Sequence, residues 1–195
     1  MLENKKIGIG MSASFCSLEK SLKSFRKLKD TKANLTCVMS DTLYHQDSRF
    51  MKKEDLKNEI KMITDKDQII TTIHEAELLG PKYPLDALVV LPCTANTLSK
   101  IANGICDNAL TMAIKATLRN QKPVILGIFT NDALGNSGEN IMKLMKTKNI
   151  FFIPFGQDDC VNKPNSMVCN PNLLIDTLEK ALLLQQIQPV ITSPL

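Results

Sequence analysis

Short apolar runs alternate along this chain with longer amphipathic segments. The apolar runs predict strands over residues 6–10, 35–39, 69–73, 87–91, 124–129 and 150–153. Apolar residues at helical spacing predict helices over residues 14–29, 54–62, 97–103, 109–119, 141–148 and 172–186. The run at 87–91 contains no polar residue, which is typical of a strand covered on both faces. This alternation favours one α/β domain, a doubly wound parallel sheet between two helical layers in a three-layer α/β/α arrangement.

Two polar segments interrupt the alternation. Residues 41–66 are mixed in character apart from the predicted helix, and residues 156–171 are rich in Gly, Pro, Asn and Asp. Long irregular segments in a compact domain are either binding loops or disordered. The pattern therefore predicts a domain over residues 1–187, followed by a flexible tail over 188–195 that contains two prolines.

Composition and charge narrow the class of protein. The chain of 195 residues is 44% hydrophobic and 23% charged, which is the usual globular balance. Its net charge of +4 comes without a long basic run, and it has no Trp, so a nucleic-acid-binding surface is not predicted. The six cysteines form no C-x-x-C pair and only two histidines are present, so no metal site is predicted. Dispersed cysteines without a recognisable leader or membrane span favour a cytoplasmic protein with reduced thiols.

The turns that follow the predicted strands carry hydroxyl and amide side chains but no Lys or Arg. In an open parallel sheet, ligands bind at the carboxyl ends of the strands, where the strand order reverses. Uncharged turns at that edge suit a phosphate held by backbone N–H groups, hydroxyls and helix N-termini. The predicted cofactor-binding residues are Gly10, Met11, Ser12, Ser14, Ser40, Thr42, Cys93, Thr94, Ala95, Asn96, Thr97 and Asn131.

Two other interpretations of these turns stay open at this point. Ser12, Ser14 and Thr97 suit helix N-caps, which need no ligand. Residues 8–13 also fit the dinucleotide fingerprint G-x-G-x-x-A, with Asp41 placed as a ribose-binding acid. The first glycine of that match falls inside the predicted strand rather than in the turn, which makes the fingerprint a weak signal.

A longer motif supplies a family resemblance. Residues 91–97 read Leu-Pro-Cys-Thr-Ala-Asn-Thr, and residues 100–111 read Lys-Ile-Ala-Asn-Gly-Ile-Cys-Asp-Asn-Ala-Leu-Thr. This stretch resembles the P-A-S-A-N-T…K-I-A-N-G-I-x-D-N-L-L-T signature of the homo-oligomeric flavin-containing cysteine decarboxylase superfamily. The resemblance implies a flavodoxin-like sheet, bound FMN and a trimer or a multiple of trimers. It also implies that Ser12, Ser14 and residues 94–97 hold the FMN phosphate, with Ser40 and Thr42 near the ribityl chain or ring.

Further segments resemble one branch of that superfamily, the dipicolinate synthase B subunits. These are residues 129–136, 149–159 and 163–166. The resemblance implies a subunit of an oxidoreductase that oxidises a dihydrodipicolinate-type intermediate of the lysine pathway to dipicolinate. It also implies a partner A subunit carrying NAD or NADP, and a place in the mother-cell cytoplasm of a sporulating bacterium. The alternatives are a stand-alone FMN-dependent decarboxylase and an assembly factor without cofactor. The decarboxylases carry P-x-M-N-x-x-M where residues 130–134 read Thr-Asn-Asp-Ala-Leu.

Three polar residues are the candidates for chemistry on a dicarboxylate. Asn96 is the first, because an amide can polarise a carbonyl or hold the flavin edge, although it could also simply fix the turn. His45 is predicted to move a proton, since histidine titrates near neutral pH, with an ordinary surface histidine as the alternative. Arg49, beyond the second strand, is predicted to bind substrate carboxylates.

Overall fold

Eight strands form one mixed sheet in the structure, a computed structural model that describes residues 1–193. The strands are β1 (Lys6–Met11), β2 (Asn34–Met39), β3 (Ile69–Ile70), β4 (Ala87–Cys93), β5 (Val124–Thr130), β6 (Ile150–Phe152), β7 (Phe155–Gly156) and β8 (Met167–Cys169). Their order is β3-β2-β1-β4-β5-β8-β7, and β6 pairs with the first half of β5. Strands β1 to β6 pair in parallel, whereas β8 is antiparallel to both β5 and β7.

The strand order reverses between β1 and β4. From β1 the chain passes to β2 on one side, and from β4 it passes to β5 on the other. Without the two-residue β3, the parallel strands lie in the order β2-β1-β4-β5-β6. Renumbered from 1 to 5 along the chain, this is 2-1-3-4-5, which is the flavodoxin order. The predicted fold, a flavodoxin-like doubly wound α/β domain, is confirmed.

Helices cover both faces of the sheet. They are α1 (Leu18–Asp30), α2 (Asp41–His45), α3 (Lys53–Thr64), α4 (Ile73–Glu77), α5 (Ala95–Ala102), α6 (Ala109–Arg119), α7 (Ser137–Met145) and α8 (Leu174–Leu182). One layer contains α1, α3 and α8, and the other contains α4, α5, α6 and α7. Helix α1 shows why the pattern predicts helices well, because Leu18, Leu22, Phe25 and Leu28 are all buried at helical spacing. No described helix is both long and apolar enough to cross a membrane.

Strand β4 continues two residues beyond the predicted run and ends at Cys93. Its pairing with β5 shifts register between Val90 and Cys93. Pro92 lies inside this interval, and a proline within a sheet is typically found at such an irregularity. The irregular stretch leads directly into the turn before α5.

The polar segment 156–171 is folded. It begins at the last residue of β7 and contains β8, and the pattern predicted neither of these strands. Phe155 pairs with Cys169 between β7 and β8, and Thr130 of β5 pairs with Met167 of β8. Residues 190–192 continue this part of the sheet, since the N–H of Phe155 donates to the carbonyl of Val190. The predicted flexible tail stays a prediction, and its residues 194 and 195 lie outside the described part of the chain.

Several predicted element bounds are wrong. The helix predicted from residue 14 begins at Leu18, after a 3₁₀ turn at Phe15–Ser17, and the helix predicted at 141–148 begins at Ser137. The strand predicted over 69–73 has only two residues, because Thr72 caps α4 and ends the extended stretch. In contrast, α6 spans the predicted residues 109–119.

Candidate functional site

The candidate site lies where the strand order reverses, at the edge formed by the carboxyl ends of the parallel strands (the carboxyl edge). The chain leaves β1 at Met11 and enters the 3₁₀ turn before α1, on one face of the sheet. It leaves β4 at Cys93 and enters α5 on the opposite face. The two turns therefore face each other across a crevice, which is the usual ligand position in an open α/β sheet. Residues 12–16 and 93–97 are called the cradle below.

Ser12 joins the two halves of the cradle. Its hydroxyl donates to the carbonyl oxygen of Pro92 at 2.8 Å and accepts from the N–H of Thr94 at 3.0 Å. Its backbone N–H donates to the same Pro92 oxygen at 3.1 Å. Ser12 is only 2% exposed, so these bonds are buried. They link Ser12 to two residues that lie 80 and 82 positions later in the sequence.

The second half of the cradle is the N-terminus of α5. Thr94 is its N-cap, and the Thr94 hydroxyl accepts from the N–H of Thr97. The backbone N–H groups of Ala95 and Asn96 have no acceptor among residues 1–193. Because the first N–H groups of a helix carry the positive end of its dipole, they attract an anion.

The first half of the cradle also has unpaired donors. The N–H groups of Ala13, Phe15 and Cys16 have no acceptor in the described chain. Ser14 lies between them, and its hydroxyl accepts from Ser17 at 2.8 Å. The predicted phosphate ligands are thus brought together as two facing groups of main-chain donors.

The carboxyl end of β2 contributes a buried hydroxyl without a partner. The Oγ of Ser40 is shielded from solvent and forms no hydrogen bond within residues 1–193. Its backbone N–H donates to the carbonyl of Met11 at 3.0 Å, which fixes this turn beside β1. Leaving a buried hydroxyl unpaired costs about 1–3 kcal/mol, so such an atom at a ligand edge indicates a missing partner. Thr42, two residues on, is exposed.

Three of the predicted cofactor-binding residues are buried in strands. Gly10 lies within β1, and a Cβ there would come within 2.6 Å of Leu110 on α6. Met11 and Cys93 are 0% exposed and end their strands. Burial raises the pKa of the Cys93 thiol, so it stays protonated at neutral pH. The side chains of Met11 and Cys93 are therefore enclosed in the core and do not reach the crevice.

The end of β5 forms a polar cluster that the sequence did not single out. The Asp132 carboxylate accepts from the hydroxyl of Thr130 and from the hydroxyl of Ser137, the latter at 2.9 Å. Both hydroxyl residues are buried, whereas the predicted ligand Asn131 is exposed. An acid two residues after a strand and five before a helix start is the signal that could have indicated this role. The cluster fixes the turn between β5 and α7.

His45 and Arg49 lie on the exposed segment beyond β2. His45 Nε2 is 3.5 Å from Asp41, one turn earlier on α2, and its ring packs edge-on against Tyr44. The Arg49 guanidinium lies 4.8 Å from the centre of the Phe50 ring. Within the described residues neither side chain hydrogen-bonds to the cradle, and the roles predicted for His45 and Arg49 stay predictions.

A second feature is an apolar groove of about 430 Å³ between α5 and α6. It is lined chiefly by Ile101, Ile105, Cys106, Ile114 and Leu118, with Ile105 half exposed. The motif that supplied the family resemblance contributes Ile101, Ile105 and Cys106 to this lining. The described residues contain no group of three or more His, Cys, Asp or Glu side chains that could hold a metal ion.

Comparisons with known proteins agree with this geometry. The family model described as Flavoprotein matches residues 1–181. The chain is 46% identical to the B subunit of dipicolinate synthase from Bacillus subtilis (strain 168), over 98% of this chain and 96% of that protein. It superposes on the crystal structure of the dipicolinate synthase B subunit from Bacillus halodurans C with a TM-score of 0.91 and 44% identity, covering 100% and 99% of the two chains.

A more distant structure shows the same fold. The FMN-dependent cysteine decarboxylase SpaF is 22% identical, with a TM-score of 0.68 over 93% of this chain and 99% of that chain. Because the matches to the Flavoprotein family and to the two B subunits extend over nearly the whole chain, this protein belongs to the Flavoprotein family, in the group that contains the dipicolinate synthase B subunits.

Proposed function

We propose that this chain is the FMN-binding subunit of a two-subunit oxidoreductase that forms dipicolinate. The observation that supports it most directly is the cradle, where two turns present unpaired N–H groups beside the buried, unpartnered hydroxyl of Ser40. Main-chain donors and hydroxyls suit a phosphate monoester joined to a polyhydroxyl chain, which is the tail of FMN. The residues therefore fit the cofactor that the family implies.

The chain's own groups have distinct roles in this proposal. The N–H groups of Ala95 and Asn96 hold the phosphate, and the Ser40 hydroxyl bonds the ribityl chain. FMN, when bound, supplies an acceptor for the two electrons that a dihydropyridine loses on becoming aromatic. Arg49 binds a substrate carboxylate, and His45 accepts the proton released in the oxidation. The Asn96 side chain holds the flavin edge or the substrate.

The proposal includes two kinds of partner. One is a separate A subunit that carries oxidised NAD or NADP, which is the final acceptor of those two electrons. The other is further copies of this chain, in a trimer or a multiple of trimers. The α5–α6 groove supports self-association, because a half-exposed isoleucine in an apolar groove is stabilised when a second copy covers it. The setting proposed is the mother-cell cytoplasm of a sporulating bacterium.

Flavin titration tests the cofactor half of this proposal. The purified protein is titrated with FMN and with riboflavin, and binding is followed by quenching of flavin fluorescence. We expect FMN to bind at least about tenfold more tightly, because only FMN has a phosphate for the cradle. Asn96→Asp should remove most of this preference, since it places a carboxylate beside the phosphate. Asn103→Asp, the same charge change at the far end of α5, should keep it.

Two results would contradict this part. One is a protein that binds neither flavin, and the other is equal affinity for FMN and riboflavin. The partner half is tested by co-purification with the A subunit, followed by an assay for dipicolinate from the dihydro precursor. Formation of dipicolinate by the A subunit alone, at the rate of the mixture, would refute a role for this chain.

A stand-alone FMN-dependent decarboxylase is the second candidate. It is favoured by the motif at 91–111, and it predicts release of CO₂ from a peptide with a C-terminal cysteine without any second protein. The turn at 130–134 argues against it, because it reads Thr-Asn-Asp-Ala-Leu where the decarboxylases carry P-x-M-N-x-x-M. The same purified protein can be assayed for both reactions.

A further inference from the structure

Ser12 follows β1 at the position where a direct phosphate contact is expected. The structure shows a different arrangement around its side chain. The Ser12 hydroxyl has one proton, and that proton is donated to the Pro92 carbonyl at 2.8 Å. The oxygen accepts the N–H of Thr94 at 3.0 Å. With 2% exposure, the hydroxyl has no free donor to offer to an anion.

We propose that Ser12 is a positioning residue, which sets the β4–α5 turn so that the N–H groups of Ala95 and Asn96 point into the crevice. This inference rests on the proposed function, because it concerns how the same cradle holds a phosphate. The hydroxyl acts through the backbone of the facing turn and does not contact the cofactor.

The need for such a cross-link follows from Pro92. Without an N–H, Pro92 cannot donate to a neighbouring strand, and pairing between β4 and β5 is interrupted from Val90 to Cys93. The last residues of β4 are therefore held less by the sheet than those before them. Three hydrogen bonds with Ser12 hold these residues from the β1 side instead, two donated to the Pro92 oxygen and one accepted from Thr94.

The cross-link also determines which donors remain free. The Ser12 hydroxyl accepts from the N–H of Thr94, and the Thr94 hydroxyl accepts from the N–H of Thr97. The N–H groups of Ala95 and Asn96, between these two bonded donors, stay unpaired at the positive end of α5. An anion placed against them needs no further change in the turn, so the site is preorganised.

Ser12→Ala tests this assignment, and Ser21→Ala is its matched control. Ser21 is also buried, but its hydroxyl bonds within α1, to the carbonyl of Ser17. Amide hydrogen exchange is measured first on the flavin-free proteins. We expect exchange of the hydrogen-bonded N–H groups of Thr94 and Thr97 to become at least about tenfold faster in Ser12→Ala and to be unchanged in Ser21→Ala.

Flavin affinity is measured next on the same proteins. In Ser12→Ala the dissociation constant for FMN should rise about tenfold while that for riboflavin hardly changes, because the correct turn is populated only part of the time. Ser12→Thr, which keeps both hydrogen bonds, should restore the FMN value. If threonine is too large for the buried position, Ser12→Cys serves as a weaker rescue that is intermediate between serine and alanine.

Each alternative gives a different result. Weaker FMN binding with unchanged exchange at Thr94 and Thr97 would make Ser12 a direct phosphate ligand and overturn the inference. Faster global exchange with an unchanged ratio of FMN to riboflavin affinity would make Ser12 a general stability residue and also overturn it. Failure of wild-type protein to bind FMN would refute the proposed function instead, while the exchange result would still report on the cross-link.

Discussion

Replacing Asp132 by alanine should destabilise the protein substantially, although the residue lies in a surface turn. Its carboxylate is the acceptor for two buried hydroxyls, on Thr130 at the end of β5 and on Ser137 at the start of α7. These residues are 8% and 3% exposed. In Asp132→Ala, the turn supplies no other side-chain acceptor for either hydroxyl.

The size of the effect follows from these contacts. Leaving one buried hydroxyl unpaired costs about 1–3 kcal/mol, and local relaxation or water entry recovers part of it. We therefore expect the free energy of unfolding to fall by about 2–4 kcal/mol in Asp132→Ala. Asp132→Asn keeps one acceptor oxygen, so it should lose about half as much.

Urea denaturation followed by far-ultraviolet circular dichroism measures these changes, since the chain has no tryptophan. Glu139→Gln is the control, because it removes an exposed acid from the first turn of α7 and forms no side-chain hydrogen bond in the described structure. It should cost less than about 0.5 kcal/mol. If Asp132→Ala is as stable as Glu139→Gln, the cluster does not hold the turn and the reasoning is wrong.

Three further predictions concern other parts of the fold. A Cβ on Gly156 would lie 2.8 Å from the Ser193 carbonyl, so Gly156→Ala should displace the C-terminal residues and speed their proteolysis with little change in global stability. The hydroxyl of Thr72 lowers the pKa of Glu75. The stabilisation by this carboxylate is therefore present above the ordinary glutamate pKa of about 4.3 and is lost as the pH falls through the lowered pKa of the folded state. By urea titration, Glu75→Gln should cost under about 1 kcal/mol at pH 7, and this cost should shrink as the pH is lowered through that range. Gly127→Ala should lower the free energy of unfolding by about 1–3 kcal/mol in the same assay, because its Cβ would lie 2.5 Å from Leu91 and 3.1 Å from Ile153 in the core.

Much of the fold can be predicted from periodicity, and the exceptions have physical causes. The helix at 109–119 is predicted to the residue, because an Asn108 capping box begins it and buried residues recur along it. The short strands β7 and β8 are missed, because two or three residues are too few to show an alternation. Helix α2 is missed for the same reason, since its five residues bury only Leu43.

The candidate site can be predicted in position but not in detail. Residue types after each strand identify the carboxyl edge, since topology alone brings those turns together. They cannot show that the Ser12 hydroxyl is hydrogen-bonded to Pro92 or that the Ser40 hydroxyl has no partner in the described structure. Both facts depend on which residues far apart in sequence come into contact. The role of Asp132 likewise depends on where the α7 N-terminus is placed.

The donors of the cradle belong to the main chain, and every residue type except proline carries the same donor. Alanine scanning would leave these groups in place and would therefore report a weak site even where the cofactor is tightly held. Related chains could also exchange Ala95, Phe15 or Cys16 for other residues without losing the anion. Replacement by proline, or of a single amide by an ester, is the perturbation that would reveal them, and sequence variability at these positions carries no information about whether the ligand is retained.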